Sequence, residues 1–311
     1  MDHLEGLRVF VAVAELQGFA PAARRLSLSP PAVTRAVAAL ERRLGAQLLQ
    51  RSTRSVRLTE IGERFLDDCR RVLSDLEDAE ALASGTHADA KGQLAITAPS
   101  MFGRMHVAPI ALAFLAKHPQ VSVRTFFVDR IVHLLDEGFD VALRIARLPD
   151  SGLTAVQVGH VRRVVIASPA YLKRHGTPKV PADLQHHDAI GFSTTGGAGA
   201  PWSFGVTDAS NSSSGAPREL AQPRLRLISN AGEVGIEAAL RGQGIARALS
   251  YQVDEHVRAG TLRLLLADFE PEPIPVHLVY VAGRKAPAKV RAFVDFAVDR
   301  LRAEPVLQSG E

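Results

Sequence analysis

Near the start of the chain Leu4, Leu7, Val11 and Ala14 recur at helical spacing, with Phe10 and Val13 beside them. This predicts an amphipathic helix over Leu4 to Glu15, which Gln17-Gly18 ends. Pro21 suits the first residue of a short helix running to Leu26, where its missing N–H costs nothing. Ser29 is placed to cap a third helix, with Pro30 in its first turn and Ala32, Val33, Ala36, Val37 and Leu40 on its apolar face, reaching about Leu44. After Gly45 the pattern changes: Arg51 to Thr59 alternates and is β-branched, which predicts a hairpin. A helical stripe then resumes at Ile61, Phe65, Cys69, Val72, Leu76, Ala79 and Ala83, close to a heptad seam, with Thr59 as its cap. Such a seam needs a partner, either a second copy of itself or the chain's own head.

Gly85 to Gly92 is small and polar, as a hinge is. Beyond it strand and helix patterns alternate: strand Gln93 to Thr97, helix Arg104 to Lys117, strand Val121 to Val128, helix Ile131 to Glu137, strand Val141 to Ile145. A second set follows, with strand Val164 to Ala167, helix Pro169 to His175, strands Ala189 to Phe192 and Leu225 to Ile228, helix Asn230 to Arg241 and strand Ile245 to Ala248. Val276 to Val281 closes the series as a strand and Pro287 to Arg302 as a helix. The alternation predicts βαβ units on parallel sheets. Gly205 to Pro217, rich in Ser, Gly and Asn, reads as an exposed loop without an assigned role.

A length of 311 residues suggests two domains, and 46% apolar against 23% charged residues gives a globular chain with a sizeable core. No apolar run reaches the ~20 residues of a membrane span, and Asp2, Glu5 and Arg8 stand where a signal peptide needs apolar residues, so a cytoplasmic protein is expected. One cysteine, Cys69, closes no internal disulfide, and no Cys/His cluster has zinc-site spacing, so neither metal nor cofactor is expected. The net charge of +4 conceals an asymmetry. From Arg8 to Arg57 nine arginines face only Glu15 and Glu41, a net +7, while Leu58 to Ala90 carries nine acids against three arginines, a net −6. A basic head is the footprint of a nucleic-acid binder, since phosphate neutralisation supplies most nonspecific affinity; arginine-rich helices that merely solvate a surface are the alternative.

Two short helices joined by a tight turn form a helix-turn-helix, whose second helix enters the major groove by its N-terminal residues, here Pro30, Pro31, Thr34 and Arg35. Arg35 has the donors for guanine, Thr34 for a base or phosphate, and Pro31 an apolar contact for a thymine methyl. Arg51, Thr53, Arg54 and Arg57 on the hairpin face phosphates as a wing; a plain surface position for Thr34 and internal salt bridges for Arg51 and Arg57 stay open. No G-x-S-x-G, H-E-x-x-H or P-loop is present, and Gly242-Gln-Gly244-Ile-Ala-Arg247 has arginine where a dinucleotide fingerprint needs its third glycine. His186-His187 reads as a surface turn. No catalytic residue is assigned.

The stretches Ala22-Ala23-Arg24-Arg25-Leu26, Leu28-Ser29-Pro30-Pro31-Ala32-Val33-Thr34-Arg35-Ala36-Val37, Leu40-Glu41-Arg42-Arg43-Leu44-Gly45, Leu48-Leu49-Gln50-Arg51-Ser52-Thr53-Arg54 and Leu58-Thr59-Glu60-Ile61-Gly62 together resemble the N-terminal domain of LysR-type transcriptional regulators. Phe139-Asp140-Val141-Ala142-Leu143-Arg144, Ala167-Ser168-Pro169-Ala170-Tyr171-Leu172 and Gly242-Gln243-Gly244-Ile245 extend the resemblance. The chain departs from that pattern at Ala20, where Ser or Thr is usual before the second helix, and at Leu49, where Phe usually precedes the wing. The resemblance implies an all-α winged helix-turn-helix N-terminal domain (1–58), a linker and dimerisation helix (59–84), a hinge (85–91) and an α/β two-lobed periplasmic-binding-protein-like effector domain (92–303), with a tail (304–311). Lobe I would take about 92–162 and 267–303 and lobe II about 163–266, joined by crossing strands near Arg147 to Arg163 and near Ala267.

It further implies a sequence-specific regulator binding double-stranded DNA at a promoter or operator, assembled as a dimer or tetramer, with a small-molecule effector in the cleft. Strand ends and helix starts place Ser100, Met101 and Phe102 on one wall and Ser193, Thr194, Asn230 and Ile245 on the other, suiting a small organic anion. Ser100 and Asn230 as helix caps, and Arg144 paired with Asp140, are the structural alternatives. A cytoplasmic solute-binding protein or enzyme that uses the head only for oligomerisation is the alternative function.

Overall fold

Helix α1 (His3–Glu15) buries Leu7, Val9, Phe10, Ala12 and Val13, the inward face its spacing predicts. Helix α2 (Phe19–Arg25) starts two residues before Pro21, because Gly18 in extended conformation serves as its N-cap; Pro21 still falls in the first turn, where no N–H finds an acceptor within the helix. Helix α3 (Pro30–Leu44) begins as expected, with the Ser29 Oγ accepting the Ala32 N–H at 3.3 Å, and ends at Gly45, whose φ of +65° is left-handed. The three helices close on a core that includes Phe10, Val13, Val33, Val37 and Leu40. Strands β1 (Leu49–Arg51) and β2 (Val56–Leu58) pair antiparallel with Leu49 opposite Leu58, so the hairpin starts two residues earlier than its alternation suggests.

The computed structural model describes residues 3–51, 56–83, 90–194, 201–205, 218–281 and 286–308. They divide into two compact units, one running to Gln93 with Gln120–Ser122 and Pro287–Lys289, the other made of the rest. The hinge positions 85–89 and most of the Ser-rich stretch (206–217) lie outside the described residues.

Helix α4 (Glu60–Ala83) is capped by Thr59, whose Oγ1 accepts the Gly62 N–H at 2.9 Å. Its apolar stripe does not form one seam. Leu66 and Cys69 are buried in the head core, Phe65 lies 5.6 Å from Phe10 between ring centroids, and Leu73 packs on the same cluster, while Ile61 and Val72 remain exposed. At 3.6 residues per turn a stripe drifts around the helix, so the inner face recruits Leu66 and Leu73 and leaves the two outer positions open. Cys69 is therefore a core residue of the head, and burial pushes its thiol up to about 12.

The second unit holds two five-stranded sheets. The first, from β3 (Gly92–Ala98), β4 (Val121–Phe127), β5 (Val141–Ile145), β6 (Leu153–Val161) and β14 (Ile274–Val281), has the order β4-β3-β5-β14-β6. The second, from β7 (Arg163–Ala167), β8 (Asp188–Phe192), β11 (Arg224–Ser229), β12 (Ile245–Leu249) and β13 (Arg263–Leu265), has the order β11-β8-β12-β7-β13. A separate hairpin joins β9 (Trp202–Gly205) to β10 (Arg218–Ala221). The chain passes between sheets at β6 to β7 and returns through the turn Ala267–Phe269 to β14.

The sheets are mixed where the alternating pattern predicts parallel ones. The pairs β3–β5, β8–β11 and β8–β12 are parallel, but β14 runs antiparallel to β5 and β6, and β7 antiparallel to β12 and β13. The crossing strands account for this, since each enters its sheet from the other one. The helix expected from Arg104 starts at Ser100 and runs to Lys117, with a π turn at Gly103–Val107 just ahead of Pro109, where the missing N–H breaks the regular ladder.

Candidate DNA-reading face and effector cavity

The start of α3 is open. Pro30, Pro31 and Arg35 are exposed and Thr34 half-buried, with Val33, Ala36 and Val37 holding the opposite face in the core. The Thr34 Oγ1 donates to the Pro30 carbonyl at 3.0 Å, so the hydroxyl is turned back onto its own helix. Arg35 makes no hydrogen bond or ion pair among the described residues. Other basic residues are held internally: Arg25 and Arg70 both pair with Glu15, and Arg42 donates to the Ala38 carbonyl. Arg51 belongs to β1, Arg57 is exposed on β2, and Thr53 and Arg54 lie outside the described residues. Glu41 fixes the approach to the wing, its Oε1 accepting the N–H groups of Leu48 and Leu49 at 2.9 and 3.1 Å.

In the second unit a cavity of about 960 Å³ is bordered by residues of both sheets. Its charged lining is Arg130, Arg144, Arg147, Arg163 and Arg247 against Asp129 alone, with apolar surface from Met101, Val128, Ile131, Phe192 and Trp202. Several of these charges are already satisfied. Arg130 forms a two-armed pair with Glu137, whose carboxyl that hydrogen bond holds down at about 2. Arg147 pairs with Glu272, Arg144 donates to the Val132 carbonyl at 2.8 Å, and Asp129 accepts the Ser100 N–H at 3.0 Å. Arg247 differs: its guanidinium lies 5.5 Å from the Trp202 ring centroid and pairs with no carboxylate among the described residues. Burial, and then the charge of Arg163, lower it to about 10, which leaves it protonated at neutral pH.

Of the residues expected at the cleft, Met101 borders this cavity, and Ser100, Ser193 and Asn230 adjoin the bordering residues Pro99, Phe192 and Ala231 in the chain. Phe102 is fully buried against His106 and Tyr251, because the helix starts at Ser100 and turns position 102 inward. Ile245 is likewise core, packed in the cluster that contains Tyr171, Leu184 and Trp202. The Ser100 Oγ donates to the Phe127 carbonyl at 3.4 Å, and Pro99 rather than Ser100 stands at the cap. Asn230 caps nothing either: the Gly232–Leu240 helix has Ala231 at its N-cap, and the Ser229 Oγ accepts the Ala231 N–H. The Ser193 N–H donates to the Ser229 carbonyl, and Thr194 is exposed at the end of the described stretch. Arg144 and Asp140 take separate partners, the Val132 carbonyl and the Ala95 N–H.

The residues that the sequence did not single out are Arg247, Arg163 and Trp202. Period-two alternation along β12 puts Ile245, Arg247 and Leu249 on one face, so a charge interrupting an apolar strand was the available signal. No group of three or more His, Cys, Asp or Glu side chains among the described residues is placed to hold a metal ion, and no described helix is long and apolar enough to cross a membrane.

Comparison with known proteins accords with both features. Residues 4–63 match the bacterial regulatory helix-turn-helix proteins of the lysR family, and residues 87–302 match the LysR substrate binding domain. The chain is 35% identical to the HTH-type transcriptional regulator DmlR of Escherichia coli over 293 residues, covering 94% of this chain and 92% of that one. It is 32% identical over 298 residues to the regulator CrgA of Neisseria meningitidis, covering 96% of each. The solved structure of CrgA superposes with a TM-score of 0.58 over 96% of this chain and 98% of that one. The full-length Vibrio cholerae virulence activator AphB gives 0.60 at 27% identity, over 96% of this chain and 99% of that one. A capped helix presenting arginine, a wing, and a two-sheet cavity domain in this order identify the chain as a member of the LysR family of DNA-binding transcriptional regulators, with an effector-binding domain and no enzymatic role.

Proposed function

We propose that the chain reads an operator through the first turn of α3, with Arg35 on a base edge, Pro30, Pro31 and Thr34 beside it, and Arg51, Thr53 and Arg54 of the wing on phosphates. The exposure of Arg35 on a helix whose start is fixed by the Ser29 cap supports this reading most directly. The Thr34 hydroxyl exchanges its carbonyl partner for DNA. A small organic anion in the cavity is the effector, a reading supported by the lining Arg247, which has no carboxylate partner among the described residues, while Arg130 and Arg147 already hold Glu137 and Glu272. Two copies assemble through the part of α4 that the head leaves uncovered, at Ile61 and Val72. The division into a reading head (1–58), linker helix (59–84), hinge (85–91) and effector domain (92–303) follows, and so does a place in the cytoplasm beside the DNA.

Capture of fragmented host genomic DNA by the purified protein at near-physiological salt, followed by sequencing, tests the proposal. Enrichment of a few intergenic fragments sharing an inverted repeat is the expected result. Retention no better than random, with or without organic anions added, overturns it and favours a solute-binding role.

A further inference from the structure

The charges around the cavity are not equivalent, and their differences restrict the ligand. Arg130 and Arg147 each have a carboxylate, from Glu137 and Glu272, and Arg144 is tied to the Val132 carbonyl. Arg247 has an aromatic ring on one side and no carboxylate among the described residues. It stands on the central strand β12, diagonal in register to Arg163 on β7, since Arg247 is opposite Val165 and Leu249 opposite Arg163. A guanidinium placed this way carries a planar fork of N–H donors into a partly dehydrated space and needs an anion of matching plane. The walls nearby are apolar. Ile131 is 79% and Phe192 50% exposed, which leaves two large apolar side chains bordering the cavity uncovered.

Resting on the anion reading above, we infer that Arg247 is the anchor of the effector, and that the effector is an organic carboxylate with an apolar body. The carboxylate accepts two hydrogen bonds from the Arg247 fork, with Trp202 holding the guanidinium from behind. The body covers Met101, Val128, Ile131 and Phe192. A compact inorganic anion satisfies the arginine but leaves the apolar wall wet, and an uncharged molecule of the same shape leaves the arginine without its counter-charge.

The chain has one tryptophan, and it is Trp202, so emission excited at the red edge, where tyrosine does not absorb, reports on this position alone. The test titrates the full-length protein with phenylacetate, 3-phenylpropanoate and hexanoate, with their three amides, and with sulfate and oxalate, reading Trp202 emission and the mobility of a captured DNA fragment. At least one of the three carboxylates is expected to saturate the signal, its amide binding at least about 30-fold more weakly, as loss of one partner of a hydrogen-bonded charge pair requires. Arg247→Gln is expected to weaken that carboxylate by a similar factor and Arg247→Lys, which keeps the charge and loses the fork, by less; thermal unfolding verifies that both variants fold. The anchor assignment is overturned if amides bind as well as acids, if Arg247→Gln leaves the affinity unchanged, if sulfate and oxalate alone bind, or if none of the three carboxylates binds at millimolar concentration. Carboxylate binding that leaves DNA mobility unchanged overturns the cavity as an effector site. The DNA-regulator reading fails separately, on an empty genomic capture.

Discussion

Gly62 in the first turn of α4 is the sharpest structural test of the head. A Cβ built there lies 2.0 Å from the Leu48 carbonyl oxygen and 2.9 Å from its carbon, both backbone atoms, about 1 Å inside any separation real Cβ atoms adopt. Rotamer changes relieve nothing, so Gly62→Ala has to move the start of α4 away from the strand before the wing. That movement strains the Thr59 junction, where Oγ1 donates to the Gln47 carbonyl at 2.7 Å and accepts the Gly62 N–H at 2.9 Å. Overpacking costs ~1–3 kcal/mol and a lost cap ~1 kcal/mol, while the better helix propensity of alanine returns ~1 kcal/mol. The net loss is about 1–3 kcal/mol, a drop of about 5- to 150-fold in local hydrogen-exchange protection. Exchange measured on the full-length chain over residues 46–66 is the assay. Gly6→Ala on α1 is the control, because nothing lies within 4 Å of its Cβ position and its substitution should stabilise by up to ~1 kcal/mol. Equal protection in Gly62→Ala and wild type refutes the close approach of α4 to Leu48.

Three further outcomes are expected. Ser29→Ala removes the cap of α3 and lowers protection over its first turn by ~1 kcal/mol, Ser29→Gly by only a few tenths; equal effects of the two would show that the hydroxyl does not cap. Arg35→Ala weakens binding to a captured operator by ~1–3 kcal/mol and relaxes base preference at one position, whereas an equal loss on random DNA would remove its base-reading role. Cys69 gives a pH dependence: its folded thiol titrates near 12 and the unfolded one near 9, so the two states hold the same protons below pH 9 and only the unfolded thiol ionises between those values. Stability therefore falls as pH rises through that window. The advantage of wild type over Cys69→Ala in melting temperature should shrink from pH 8 to pH 10.5, and a constant gap would contradict the burial.

The head was legible because each of its signals is local. A cap, a proline and a 3.6 period coincide at Ser29 and Pro30, and no tertiary contact competes with them. The linker helix was legible as a helix but not in its pairing, since Phe65 and Cys69 fit a self-paired seam and a head-packed face equally well in sequence, and the intervening Leu66 and Leu73 decide between them. Strand polarity was hidden for a related reason. Both β7 and β14 read as apolar strands from their own residues, but their direction depends on which sheet the chain has just left, and that is set by residues far away in sequence. The hairpin of β9 and β10 is concealed because its strands are four residues each and the stretch between them carries turn chemistry.

The ligand donors expected in the second unit differ from Arg247 in a way that their own residues display. Strand-end hydroxyls and amides such as Ser100, Ser193 and Asn230 attract attention as ligand donors, yet these positions also have backbone groups to satisfy: Ser100 bonds the Phe127 carbonyl and the Asp129 carboxylate, and the Ser193 N–H bonds the Ser229 carbonyl. Groups already bonded within the protein offer a ligand little net gain, because the exchange replaces one hydrogen bond by another. Arg247 carries the opposite signature. In sequence it was only the residue that spoiled a glycine motif, whereas in the fold it is a cation on a central strand, half-enclosed, beside a second arginine and an aromatic ring, with no carboxylate among the described residues. Placing a charge there costs stability that a surface arginine does not cost, and an anion arriving in the cavity lowers that cost. If an anion binds in the cavity as proposed, Arg247 is the residue at which the ligand is expected to gain most, and the Arg247→Gln titration measures that gain.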